Sequence, residues 1–195
     1  DAFMKGTGEV LVEFDHDDML VPECLEKLEY VFSNRPDVGF VYSDDAHLQD
    51  GFIPFNPRLG WKFYKYNWKG QDLFSMVTFP PCAQSISSIY FAPDHVRAWR
   101  TSVYREIDGH DKTLEILDDQ ELLTRTYLKT IFFKIPETLY IYRVDGKNSW
   151  LNFANETIPQ KTEEIYKKYA RQLAERDSEL RGLRNIQLVY NKWQD

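Results

Sequence analysis

Apolar residues along this chain fall in short runs that alternate with helical stripes. EVLVEF (9–14) is a compact apolar run between Gly8 and a cluster of acids, and it predicts a buried strand. PECLEKLEYVFSN (22–34) sets Leu25, Leu28 and Phe32 at helical spacing behind Pro22, a residue suited to a helix start. VGFVYS (38–43) predicts a second buried strand, which also ends in acids, Asp44 and Asp45. Strand, helix and strand joined by short links make a βαβ unit, implying parallel strands and a right-handed crossover.

Residues 50–85 are rich in Gly, Pro and aromatics and lack a clean period, with WKFYKYNW (61–68) the densest part. SISSIYFA (85–92) predicts a strand, and PDHVRAWRTSVYREI (93–107) a helix with Val96, Trp99 and Val103 on one face. DDQELLTRTYLK (118–129) predicts a helix with an acidic start; TIFFKI and TLYIYR follow as strands split by Pro136. A long charged helix runs from Pro159 to about Asn185, with Tyr166, Tyr169, Leu173, Leu180 and Leu183 on one stripe. The order predicts an α/β architecture: a domain over 1–150 and a helical extension over 151–195 packed on it.

Composition narrows the picture. With 195 residues, 43% hydrophobic and 15% aromatic, the chain can build one sizeable core. No apolar run approaches the roughly 20 residues that span a bilayer, and the first residues do not read as a signal peptide. Cys24 and Cys82 have no metal-ligand spacing, and two lone cysteines fit a reducing, cytoplasmic setting. The net charge of −7 argues against nonspecific nucleic-acid binding. That charge is uneven: residues 1–50 hold 13 acids against 3 Lys or Arg, and residues 51–100 hold 2 against 6.

The acids that close the first strand are candidate chemistry. If the backbone stays extended to Asp17, then Asp15 and Asp17 project one way and His16 the other. Ligands of open α/β sheets bind outside the carboxyl ends of strands, where this pair would lie. Two adjacent carboxylates repel, and a hard divalent ion such as Mg²⁺ or Mn²⁺ removes that penalty. Mg²⁺ is typically held by one or two carboxylates plus substrate phosphates, which makes a nucleoside diphosphate the natural complement. The competing reading has Asp17 or Asp18 capping the following helix, which suits Asp18 and leaves Asp15 unexplained. Downstream, Asp118 and Asp119 open a helix. One is accounted for by the helix dipole, and the other is positioned to take a proton from a substrate hydroxyl.

GEVLVEFDHDDMLVPECLEKL resembles the Asp-X-Asp segment of GT-A glycosyltransferases, in particular the inverting family-2 group. YREIDGHDKTLEILDDQELLTRTYL resembles that family's acidic helix start, and IPETLYIYRVDGKNSW the strand closing its active site. The three blocks occur in the family's order across residues 6–150. The resemblance implies a GT-A-like (Rossmann-like) mixed sheet flanked by helices, and sugar transfer with inversion from a nucleotide-diphosphate sugar to a carbohydrate or other hydroxyl acceptor. It implies that Asp15 and Asp17 hold Mn²⁺ or Mg²⁺ against the donor diphosphate, with Asp17 favoured as direct ligand. It implies that Asp119 is the general base, with Asp118 the second candidate, and it matches Arg125 to a recurring Arg. Two positions depart from the family pattern: Asp108–Gly109 stands where many relatives have Gly-Gly, and Asp145 stands near the place of a metal-assisting His. The family's nucleotide-binding half would precede Asp1, so the chain reads as N-terminally truncated. An open first-strand edge then invites homo-oligomerisation.

Trp61, Phe63, Tyr64, Tyr66 and Trp68 suit sugar stacking or, as the favoured reading, core and lid packing, and Lys62, Lys65 and Lys69 suit an anionic acceptor. His47, His95 and His110 find no partner in the pattern and read as surface or structural residues. Two rival functions stand beside sugar transfer: a non-catalytic carbohydrate-binding or scaffolding module on a GT-A fold, and a metal-dependent phosphoesterase. The second would want more His or Asp ligands than the pattern offers.

Overall fold

The computed structural model describes residues 2–49, 57, 60–89, 92–143 and 157–187. A mixed sheet forms its centre. Strand β3, Val38–His47, is buried at all 10 positions because it is paired on both edges and covered on both faces. Along one edge runs β7, Ile131–Tyr142, parallel to it. The other edge is shared: β6, Arg97–Arg100, pairs antiparallel with Phe40–Tyr42, and β5, Gln71–Val77, pairs antiparallel with Asp45 and Ala46. Strand β1, Val10–Glu13, lies antiparallel to β6, and β4, Lys62–Trp68, forms a hairpin with β5. The short β2, Met19–Leu20, closes the far side against β7.

Period-two alternation sends neighbouring residues to opposite faces. Val41 and Ala98 face a core built with Cys24, Leu28, Val31 and Phe32 of α1, Cys24–Asn34. Phe40, Tyr42 and Trp99 face a second core built with α4, Asp118–Lys129, and α5, Thr157–Gln187. Helix α5 lays Ile158, Ile165, Tyr169 and Leu173 on that core. Its Asp177 carboxylate accepts from Tyr127 Oη at 2.6 Å and from the Ala83 amide, at the start of α2 (Ala83–Ser88), at 3.0 Å. Glu121 of α4 accepts from Tyr169 and pairs with Lys168 at 3.1 Å.

The mixed α/β sheet flanked by helices matches the expected class, with local differences. Strands β1 and β3 run in the same direction, as a βαβ unit requires, but β6 lies antiparallel between them. The stretch expected as a helix over 93–107 is β6 followed by the short α3, Thr101–Glu106, because hydrogen bonding on both edges of β6 outweighs local helical spacing. Instead of a strand over 85–92, residues 83–88 form α2, started by a reciprocal cap in which the Cys82 amide donates to Ser85 Oγ and the Ser85 amide to Cys82 Sγ. The two strands expected around Pro136 are one, β7, whose register against β3 shifts where Pro136 sits, so the missing N–H falls in a bulge. In α1 Cys24 takes the buried place expected of Leu25, which is 58% exposed, and in α5 Ile165 takes that of Tyr166. Asp145, residues 51–56, 90–91 and 188–195, and the Leu183 side chain, all used in the sequence reading, lie outside what is described.

Leu173 is 0% exposed in the α5 seam. Leu173→Ala is expected to cost about 2–5 kcal/mol, read as a lowered urea midpoint with an unchanged slope.

Candidate active site

The site forms where β1 ends and β6 begins. Because the two strands are antiparallel, Glu13 is the direct cross-strand partner of Arg97. Glu13 shares a face with buried Leu11, so an acid occupies an inward position. Its Oε1 lies 3.5 Å from Arg97 Nη1. Burial works to raise the Glu13 pKa, but the Arg97 charge and His95 outweigh it and bring the value down to about 2.

Arg97 and Trp99 project from the same face of β6 and both reach α4. Arg97 Nη1 donates to Asp119 Oδ2 at 2.9 Å, and Trp99 Nε1 donates to Thr126 Oγ1 at 3.1 Å. Asp119 and Thr126 are two turns apart on one side of α4, so the helix is pinned at two points with its acidic start against β6. Asp119 Oδ1 accepts from the Gln120 amide at 2.8 Å, and the side chain is 28% exposed. Asp118 stands beside it, its pKa raised by burial and by the Asp119 charge. Arg125 braces the approach by donating to Glu121, to the Ile107 carbonyl and to the Gly109 carbonyl at 2.6 Å. Gly109 is held at φ +61°, where a Cβ would meet the Tyr104 ring at 2.8 Å.

The turn after β1 does not continue extended. The Asp18 amide donates to the Asp15 carbonyl at 3.2 Å, which folds Asp15–Asp18 into a turn and removes the same-face alternation expected for Asp15 and Asp17. Both remain open to solvent, with side chains 57% and 42% exposed. Asp18 is buried and is no cap: its carboxylate accepts from Tyr140 Oη and from the Arg143 amide, both at 2.7 Å, and α1 has no side-chain cap. Tyr140 Oη also accepts from the Asp15 amide at 3.2 Å, so β7 anchors the turn at two points.

His95 lies beneath Asp15. Its Nδ1 pairs with Asp94 at 2.8 Å, its Nε2 is 3.7 Å from Glu13 and 4.0 Å from Asp15, and its ring stacks on Tyr140 at 4.6 Å. Burial disfavours the charged ring, but Asp94 and Glu13 prevail and lift its pKa to about 10. A continuous relay of contacts, Asp15–His95–Glu13–Arg97–Asp119, with every step at 4.0 Å or less, thus joins the two acidic segments.

Of the residues singled out from the sequence, Asp15 and Asp119 are the two ends of this relay, Asp118 adjoins Asp119, and Asp17 lies in the Asp15–Asp18 turn. His47 and His95 are both buried rather than superficial. His110 bonds Tyr104 Oη through Nδ1 at 2.8 Å and packs on Phe3. Trp61 and Trp68 are buried, and Tyr64 Oη bonds Thr138 Oγ1 at 2.7 Å, so these aromatics serve packing, while Lys62, Lys65 and Lys69 stay exposed. Sequence reasoning missed Glu13, Arg97 and Asp94; the one signal for them was an acid in phase with Leu11 in the first strand.

No family model and no curated protein matches the chain. Among solved structures it is similar to a crystal structure of S. aureus TarS 1-349, at 13% identity and a TM-score of 0.49 over 73% of this chain. The chain spans only 38% of that structure's length, and a likeness so slight carries nothing further. Among the described residues, no helix is long and apolar enough to cross a membrane.

Two outcomes are expected of the buried network. Arg97→Met leaves Glu13 and Asp119 without their cation and is expected to cost about 3–5 kcal/mol in chemical denaturation. For pH, the Glu13 contribution is fully present above 4.5 and lost as pH falls toward 2, whereas the His95 contribution is fully present below 6.5 and lost as pH rises toward 10. Stability is therefore expected to decline above pH 6.5, and His95→Gln is expected to flatten that limb.

Proposed function

We propose that the chain serves sugar transfer with inversion from a nucleotide-diphosphate sugar, with Asp119 as general base and Asp15 and Asp17 as carboxylates for Mn²⁺ or Mg²⁺. The observation that supports the reading is the relay of contacts from Asp15 to Asp119, which links two acidic segments about a hundred residues apart. The ordered sequence blocks that resemble family-2 GT-A enzymes point the same way.

The donor set suits such an ion: two solvent-accessible carboxylates in one turn leave coordination positions for substrate phosphates and water. Among the described residues neither belongs to a group of three close ligand side chains, so substrate phosphates and water would supply the remaining positions. When bound, the ion supplies Lewis-acid neutralisation of the leaving diphosphate. Asp119 does its part from a fixed pose, with one oxygen held by Arg97 and the other by the Gln120 amide. Each carboxylate oxygen keeps a further lone pair for an acceptor hydroxyl. Asp118 stands beside Asp119, its pKa raised by burial and by the Asp119 charge.

Asp119→Asn is expected to lower turnover by about 10²–10⁴-fold while leaving donor affinity nearly unchanged. Turnover near the parent value would remove Asp119 as base. Calorimetric titration with uridine or guanosine diphosphate is expected to show binding that requires Mn²⁺ and disappears in Asp15→Asn/Asp17→Asn. Metal-independent sugar binding would instead support the non-catalytic module.

A further inference from the structure

A second group of ligating side chains lies inside the fold, apart from the exposed acids. Asp45 and His47 share a face of β3, and Asp94 comes from the loop before β6; all three are buried. Asp45 is 0% exposed, and neither of its oxygens accepts a hydrogen bond among the described residues. His47 Nε2 approaches Oδ2 at 3.2 Å without the alignment of a hydrogen bond. The contrast with adjacent Asp44 is direct: its Oδ1 accepts from the Thr78 amide at 2.8 Å and pairs with Lys134 at 2.7 Å. A carboxylate this deep normally has such partners.

We propose that Asp45, His47 and Asp94 form a structural site for a transition-metal dication, Zn²⁺ in preference to Mg²⁺. One ligand atom from each lies within 4.8 Å of the others. Zn–N and Zn–O bonds of about 2.0–2.2 Å place two ligands of one ion up to ~4.4 Å apart, so small side-chain rotations close the set. An imidazole nitrogen with two carboxylates favours Zn²⁺ over the all-oxygen preference of Mg²⁺. An ion here would staple β3, beside its register shift with β7, to the loop that carries His95 toward Asp15. Burial of all three ligands gives the site a structural part and leaves no open face for a phosphoester substrate.

The inference is independent of the sugar-transfer reading, and its test keeps the two apart. The full chain carrying Asp15→Asn/Asp17→Asn is produced with Zn²⁺ in the medium, dialysed free of excess ion, and assayed for bound metal by mass spectrometry. About one Zn²⁺ per chain is expected, falling to near zero on adding either Asp45→Asn or His47→Gln. Near-ultraviolet circular dichroism confirms that each variant is folded. Co²⁺ in place of Zn²⁺ is expected to give visible absorption bands that His47→Gln abolishes. Absence of metal from the Asp15→Asn/Asp17→Asn chain, or its full retention after Asp45→Asn, would overturn the proposal.

Discussion

A buried guanidinium holds this structure's chemistry in place. Arg97 is 2% exposed and faces Glu13 across the β1–β6 pair and Asp119 at the start of α4. Glu13, Asp119 and Asp94 together raise its pKa against the opposing effect of burial, so the cation is permanent. A charge that deep is tolerable only while its partners stay, and their presence dictates how α4 meets the sheet. The relation is reciprocal, since Glu13 stays ionised in the interior because Arg97 and His95 are there.

From that pairing the rest of the site follows by ordinary geometry. Antiparallel register sets Glu13 opposite Arg97, period two sends Arg97 and Trp99 to the same helix, and the helix repeat sets Asp119 and Thr126 to receive them. On the other flank, Tyr140 of β7 holds both ends of the Asp15–Asp18 turn and carries the His95 ring on its face. Two exposed acids on one side and the partly buried Asp119 on the other therefore rest on a buried, charged floor. Charges fixed in this way are the preorganisation on which the proposed sugar transfer would draw.

How much of this was legible in the sequence varied with the source of each element's stability. Helix α4 matched its expected span of 118–129 because an acidic start and a buried stripe both mark it. Strands β1 and β3 were legible as apolar runs closed by acids. Strand β6 was not, because Arg97–Arg100 is extended only through hydrogen bonds to two partners distant in sequence, while Val96, Trp99 and Val103 mimic a helical stripe. The exposed acids of the site were visible as motifs. Their buried supports were not, because a lone Glu, Arg or His gives no hint of its partner until register brings them together, as it does Glu13 and Arg97.

On the proposed reading, Arg97 brings the turn after β1 and the start of α4 to one rim. The decisive experiment is titration of Mn²⁺ into ¹⁵N-labelled chain carrying Asp45→Asn, followed by amide line broadening in NMR. An ion taken up at Asp15 and Asp17 is expected to broaden the amides of residues 117–121 together with those of 13–18. Broadening limited to 13–18, with residues 117–121 left sharp, would overturn the shared rim.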